Sequence, residues 1–207
     1  LKSIDFSEYG FGREYRPTLI TEFNKNVTLQ DVITKGPNNT ICNNWDATKK
    51  LINIYGIASG MSYLHSHDIL HLHLTPANII EDFYFYPKIK DFGIHGTFKD
   101  LKSILKVRKD SLYYPPEYYN NNEYTKSSDV YSYSLVIYAL LTNSLPFKDI
   151  GNITDHINNI NNNIRPKISS EIPKVYRDLI EKCWSTDPQE RPTFSQIVEE
   201  IENNHEF

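Results

Sequence analysis

Residues 127–141 constrain the fold most strongly, because their pattern predicts a helix that is apolar nearly all round. A helix of that kind is stable only when other elements cover it on every side. The chain has 207 residues, of which 39% are apolar and 23% charged, so it can build one sizeable core. We therefore expect a folded domain with this helix near its centre, begun by Ser127 or Ser128 as the N-cap.

Further helices are predicted on both sides of this one. A long helix follows Asp46, with apolar residues at three- and four-residue steps as far as Leu64. Residues 1–24 differ, because they predict two strands joined by a polar turn, the second within 17–23. Shorter helices are expected at residues 28–33, within 152–163, from Pro173 onward, and through Phe194 and Ile197. A short strand is expected at residues 87–90.

Three short motifs follow one another at characteristic distances. The stretch 71–80 is His-Leu-His-Leu-Thr-Pro-Ala-Asn-Ile-Ile, residues 91–93 are Asp-Phe-Gly, and residues 115–117 are Pro-Pro-Glu. In order and spacing they resemble the catalytic loop, the Asp-Phe-Gly motif and the end of the activation segment of protein kinases. The resemblance extends from residue 17 to 203. It is closest to the tyrosine-kinase-like and Ser/Thr types, because residues 75–78 are similar to the Lys-Pro-x-Asn pattern of those kinases.

This resemblance implies a mainly α fold, namely a kinase-like C-lobe with a remnant of the N-lobe sheet. Residues 1–24 would form the remnant with the hinge strand, and residues 25–207 the helical lobe. Within that lobe the catalytic loop would occupy 71–80, and the Asp-Phe-Gly motif with the activation segment 91–117. The resemblance also implies that Asp129 accepts hydrogen bonds from the catalytic-loop backbone, and that Glu117 pairs with Arg191.

The resemblance further implies where a nucleotide would bind. Asn78 and Asp91 would hold magnesium, because hard cations prefer oxygen ligands. The full set of nucleotide-binding positions implied is Glu22, Asn24, Asn78, Ile80 and Asp91.

The catalytic loop departs from the family pattern at three positions. His73 stands where kinases carry the Asp that accepts the substrate proton, Leu72 where they carry Arg, and Thr75 where Ser/Thr kinases carry Lys. Gly10-Phe11-Gly12 is predicted to be a turn and not a phosphate-binding loop, because the hinge-like strand follows too soon. Each lost group typically costs about 10² to 10³ in rate. The sequence therefore predicts that the chain is not an active enzyme.

Two main functional hypotheses follow. The first is a degenerate, pseudokinase-like domain that acts as a protein-binding scaffold or regulator, with an active kinase or an upstream regulator as partner. It requires no cofactor, although ATP with magnesium remains open. The alternative is an ATP-binding Ser/Thr kinase of the tyrosine-kinase-like type, whose N-lobe lies upstream and whose phosphotransfer is weak. A third reading is a relic without function.

The remaining composition excludes some classes of partner. A net charge of -4, without a block of basic residues, argues against nucleic acid and anionic membranes. Cys42 and Cys183 are too few for a disulfide framework, and no apolar run is long enough to span a bilayer, so a cytoplasmic protein is expected. Four histidines fall between residues 65 and 73, but a zinc site is disfavoured because no cysteine is close by.

Overall fold

A computed structural model of the chain describes residues 6–7, 18–19, 27–35, 45–92 and 112–207. Within these residues the protein is mainly helical, which confirms the predicted fold class. The helices are α1 Leu29–Lys35, α2 Ala47–Ser66, α3 Pro116–Asn121, α4 Lys126–Thr142, α5 Ile153–Asn161, α6 Lys174–Cys183 and α7 Phe194–Asn203.

Two small antiparallel sheets accompany the helices in the described part of the chain. In the first, β1 Phe6–Ser7 pairs with β2 Thr18–Leu19, which agrees with two strands in residues 1–24. In the second, β3 Ile79–Glu81 pairs with β4 Pro87–Ile89, and Ile79 lies opposite Ile89. The strand β4 was predicted from the sequence before the Asp-Phe-Gly motif, whereas β3 was not.

Helix α4 forms the centre of the molecule, as its apolar pattern predicted. Twelve of its residues are buried, and it contacts α1, α2 and α6. The Tyr133 hydroxyl donates a 2.7 Å hydrogen bond to the backbone oxygen of Ile54 in α2, so even the polar atom of this buried ring is satisfied. The predicted N-cap is wrong, because the helix begins at Lys126 and its N-cap is Thr125, two residues before Ser127. Ser128 instead accepts a hydrogen bond from the Thr125 backbone nitrogen.

Helix α2 begins where the sequence predicted. Asp46 is its N-cap and accepts a 2.9 Å hydrogen bond from the backbone nitrogen of Lys49. The apolar face is buried in the core, and the residues of that face are Ile54, Ala58, Met61 and Leu64. Helix α2 packs against α7 and β4.

Two glycines let α2 approach β4 closely. A Cβ at Gly56 would come within 2.8 Å of Pro87, and a Cβ at Gly60 within 2.9 Å of Ile89. Both distances are shorter than real Cβ contacts, so the strand can lie against the helix only because these positions lack a side chain. The position of β4 matters, because Asp91 follows it by two residues. No helix in the described ranges is both long and apolar enough to cross a membrane.

Candidate functional site

The catalytic-loop backbone is anchored on one buried carboxylate. Asp129 Oδ2 accepts a 2.8 Å hydrogen bond from the His71 backbone nitrogen, and Oδ1 a 3.0 Å bond from that of Leu72. The ring of His65 lies 2.9 Å from Oδ2, and the Tyr124 hydroxyl donates to Oδ1 at 2.9 Å. The prediction that Asp129 holds this loop is confirmed.

Two residues of the site have left-handed backbone conformations. Leu72 has a φ of 68° and Asp91 a φ of 61°. This region is uncommon for residues other than glycine and costs about 1–2 kcal/mol for an ordinary side chain. Such strain persists only where the surroundings impose it, and it concentrates at functional sites. At Leu72 the surroundings are the Asp129 hydrogen bonds.

The side chain of Asn78 determines the tautomer of His73. Asn78 Nδ2 lies 2.9 Å from the backbone oxygen of His73 and 2.9 Å from its Nδ1. The backbone oxygen of His73 can only accept a hydrogen bond, so the Asn78 group that faces it is the amide nitrogen and not the amide oxygen. An amide nitrogen only donates, so Nδ1 of His73 must also be an acceptor. In the neutral ring, the His73 proton therefore sits on Nε2. Both N–H groups of Asn78 point at His73. The Oδ1 oxygen of Asn78 is therefore the atom left to bind a metal.

The two predicted metal ligands flank the same end of the second sheet, Asn78 directly before β3 and Asp91 two residues after β4. The Lys90 backbone nitrogen donates a 3.0 Å hydrogen bond to the Asn78 backbone oxygen, and Asp91 is the next residue. The Asp91 carboxylate is partly exposed, and its Oδ2 lies 2.8 Å from the Lys90 ammonium. An amide oxygen and a carboxylate are a donor set that suits magnesium, since this ion prefers a few carboxylate or amide oxygens beside phosphates and water.

The other loop and strand residues singled out from the sequence, Ile80, Thr75 and Leu72, differ in burial. Ile80 lies on β3 and is half-buried, on the opposite face from the buried residues Ile79 and Glu81. Thr75 is buried, with 2% of its surface exposed, and its hydroxyl has no hydrogen-bond partner in the residues the structure covers. It therefore supplies no substitute for the lysine of Ser/Thr kinases. Leu72 is half-buried.

Several predictions lie outside the described residues. These are the nucleotide-binding roles of Glu22 and Asn24, the turn at residues 10–12, and the segment 93–111 between the Asp-Phe-Gly motif and the start of α3. The proposed boundary between residues 24 and 25 also remains a prediction.

The predicted pair of Glu117 and Arg191 is confirmed. The guanidinium donates to both carboxylate oxygens, at 2.7 and 3.0 Å, and it also donates to the backbone oxygens of Ser127 and Ser185. Its side chain is fully buried. Because breaking a buried pair leaves an uncompensated charge, this contact ties the beginning of α3 to the segment before α7.

The four histidines between residues 65 and 73 do not converge on one point. His65 contacts Asp129, and His67 is exposed and contacts Tyr63. His71 is buried, and His73 contacts Asn78. Among the residues with described positions, no group of three or more His, Cys, Asp or Glu could hold a metal ion.

Two charged residues of this region, Glu81 and Lys90, were not singled out in the sequence-based prediction of the site. Glu81 is fully buried, and its Oε2 accepts a 3.3 Å hydrogen bond from Asn53. The signal was available, because Glu81 shares a strand face with the buried Ile79 at a two-residue spacing. Burial raises the pKa of Glu81 to about 8, and the Asn53 hydrogen bond only partly offsets this. Lys90 was not predicted as a site residue, although it directly precedes the Asp-Phe-Gly motif.

Comparison with known proteins agrees with this geometry. The family model described as the protein kinase domain matches residues 6–201. The chain belongs to the protein kinase family. Its kinase relatives include the dual specificity protein kinase pyk3 of Dictyostelium discoideum, 37% identical over 72% of this chain, and the serine/threonine-protein kinase STY17 of Arabidopsis thaliana, 32% identical over 69%. Mitogen-activated protein kinase kinase kinase 12 of Rattus norvegicus is 30% identical over 69%.

These matches cover small parts of the relatives. The aligned kinase segment amounts to 11% of pyk3, 25% of STY17 and 16% of the rat kinase. The chain therefore spans at most about a quarter of the length of these curated relatives.

The prediction that the chain is not an enzyme is wrong. The protein kinase family match and relatives named as Ser/Thr and dual specificity kinases point to a kinase enzyme. The physical reason is that phosphoryl transfer depends mainly on positioning and on charge neutralisation. Asp129, which anchors the loop backbone, is retained, and so are Asn78 and Asp91, the two residues that the family resemblance implies for magnesium.

Proposed function

We propose that this chain binds ATP with magnesium and, as a protein kinase, phosphorylates serine or threonine side chains of a protein partner. The observation that carries the proposal is the orientation of Asn78. Its amide nitrogen is held by His73 at 2.9 Å, so its oxygen is the atom left for a metal, one position away from Asp91 across the sheet. The relatives named as serine/threonine kinases support the choice of acceptor.

In this proposal Asn78 and Asp91 hold the metal, and Ile80 forms part of the surface beneath the base. Magnesium, when bound, neutralises the charge of the phosphates. Asp129 keeps the loop in position through the backbone nitrogens of His71 and Leu72, so that the substrate hydroxyl and the phosphates meet in a fixed geometry. Positioning of this kind lowers the barrier because the entropy of alignment is lost before the reaction.

His73 limits the rate in this proposal. Its Nδ1 accepts from Asn78, and the neutral ring carries its proton on Nε2. Neither nitrogen is then ready to take a proton from a substrate hydroxyl unless the ring turns. A general base typically contributes about 10² to 10⁴ to the rate. We therefore expect phosphotransfer that is slow but dependent on Asp91.

The test combines binding with transfer. Thermal unfolding of the purified chain is followed with ATP, with and without magnesium, and the transfer of labelled γ-phosphate to a mixed serine/threonine peptide set is measured beside it. We expect a magnesium-dependent rise in the midpoint, since a ligand of the folded state stabilises it by mass action. Both signals should vanish in Asp91→Ala and persist in Asp178→Ala, which removes a carboxylate that pairs with Lys174 on α6. Absence of both signals from the unaltered chain would refute the proposal.

A further inference from the structure

We propose that Lys90 is the residue that receives the phosphates of the nucleotide, and that it occupies the Asp91 carboxylate until the metal binds. This inference rests on the proposed function, because it assigns the phosphate contact within the same nucleotide site. Neither the residues that the kinase resemblance implies for nucleotide binding nor the predicted substitutions in the catalytic loop include Lys90.

The position of Lys90 is set by the sheet. Its backbone nitrogen is bonded to the Asn78 backbone oxygen at 3.0 Å, and its ammonium lies 2.8 Å from Asp91 Oδ2. The backbone of Lys90 is thus bonded to the backbone of one candidate metal ligand, Asn78, and its ammonium contacts the carboxylate of the other, Asp91. Its side chain is 37% exposed and that of Asp91 39%, so ions from solution can reach both.

This ion pair has little value for stability. A partly exposed pair typically contributes about 0–1 kcal/mol, and Lys90 and Asp91 are neighbours in sequence, so their contact joins no separate elements. The buried pair of Glu117 and Arg191 differs, because it connects residues 74 positions apart. The placement of Lys90 is therefore better explained by what the pair can bind.

Lys90 has opposite effects on the binding of magnesium alone and on the binding of magnesium with phosphates. A metal on Asp91 competes with the ammonium for the same carboxylate oxygen, so Lys90 weakens the binding of magnesium alone. Once a metal with its phosphates is present, the phosphate oxygens lie beside that carboxylate and become the nearest anions for the displaced ammonium. Lysine suits this role, because its flexible stem carries a compact charge with three donors that binds phosphate as a point charge.

The experiment measures two affinities by isothermal titration of the full chain, one for magnesium alone and one for ATP with saturating magnesium. In Lys90→Met we expect the affinity for magnesium-ATP to fall about tenfold or more, as for the loss of a charge-assisted hydrogen bond. The affinity for magnesium alone should rise severalfold. Lys90→Arg should restore most of the affinity for magnesium-ATP. The control is Lys88→Met, which removes an exposed charge of β4 opposite Ile80 and should change neither affinity.

The outcomes separate this inference from the proposed function. If the unaltered chain does not bind magnesium-ATP, both fall together. If it binds, and Asp91→Ala abolishes binding while Lys90→Met leaves it unchanged, only the role of Lys90 is overturned. A fall of both affinities in Lys90→Met also overturns it, because that result indicates a structural role. Folding of the variant is checked by its thermal midpoint, which should stay close to that of the unaltered chain.

Discussion

The backbone nitrogen of Leu72 donates a 3.0 Å hydrogen bond to Asp129 Oδ1, and Leu72 holds a φ of 68° while it does so. The left-handed conformation of a leucine is unfavourable by about 1–2 kcal/mol. Asp129, fully buried in α4, offsets this through four hydrogen bonds in which it is the shared partner. The shape of the catalytic loop is thus imposed by the central helix and not by the loop's own residues.

Asp129→Asn should destabilise the protein strongly. The new amide group places N–H donors against backbone N–H donors of the loop, so at least one buried donor loses its acceptor. We expect a loss of about 2–4 kcal/mol in the free energy of unfolding, measured by urea denaturation. Asp178→Asn, a change of the same chemistry on an exposed carboxylate, should cost less than about 0.5 kcal/mol. Similar losses in the two variants would contradict the anchoring role.

His73→Asp should increase phosphotransfer. The carboxylate would return the proton acceptor that the family carries at this position, and Asn78 could still donate to it from its present position. We expect initial rates of labelled phosphate transfer about 10²-fold higher, with the dependence on Asp91 retained. The control is His205→Asp, an exposed residue near the C-terminal end of the chain. An unchanged rate would show that proton acceptance does not limit the reaction.

Glu81 should make the protein less stable as the pH rises. Its pKa is raised by burial from 4.5 to about 8. Between these values the folded chain retains a proton that the unfolded chain has released, so stability is complete below about 4.5 and falls toward pH 8. Glu81→Gln keeps an acceptor for Asn53 and removes the titration. We expect this variant to be more stable by about 1–3 kcal/mol at pH 8, with a flatter profile of thermal midpoint between pH 5 and 8. A parallel profile would disprove the role of Glu81.

His156 should limit stability in acid. It is fully buried beside Phe147, at 4.5 Å between ring centroids, and neither ring nitrogen has a hydrogen-bond partner among the described residues. Burial, with a smaller contribution from the Arg165 charge, lowers its pKa from 6.5 to about 4. Between pH 6.5 and 4, His156 therefore binds a proton in the unfolded chain but not in the folded chain. The free energy of unfolding declines as the pH falls from about 6.5 to 4.

The variant that tests this is His156→Phe, which preserves an aromatic ring at the site. We expect the decline of the thermal midpoint between pH 6.5 and 4 to become shallower, while the midpoint at pH 7 changes little. His205→Phe serves as the control, because its ring is exposed. A decline as steep as that of the unaltered chain would assign the acid sensitivity to other groups.

Much of the fold was predictable because its signals are local. The N-cap at Asp46, the buried face of α2 and the strand before Asp91 follow from residue types at regular spacing. The exact start of α4 was not predictable from residue types, since Thr125, Ser127 and Ser128 all suit an N-cap position. The inactive-enzyme prediction was wrong for a related reason. The three substituted side chains of the loop predicted inactivity, although the loop backbone is held by hydrogen bonds to Asp129.

The sequence by itself determined the family and the central helix, because ordered motifs and hydrophobic periodicity are properties of the chain. It also predicted Asn78 and Asp91 as metal ligands, through the resemblance of those motifs to the family pattern. Only the tertiary structure decided the proton position on His73, the contact of Lys90 with Asp91 and the raised pKa of Glu81. These depend on atoms from separate segments that approach to hydrogen-bond distance or exclude water, and the spacing of residues along a chain does not encode either.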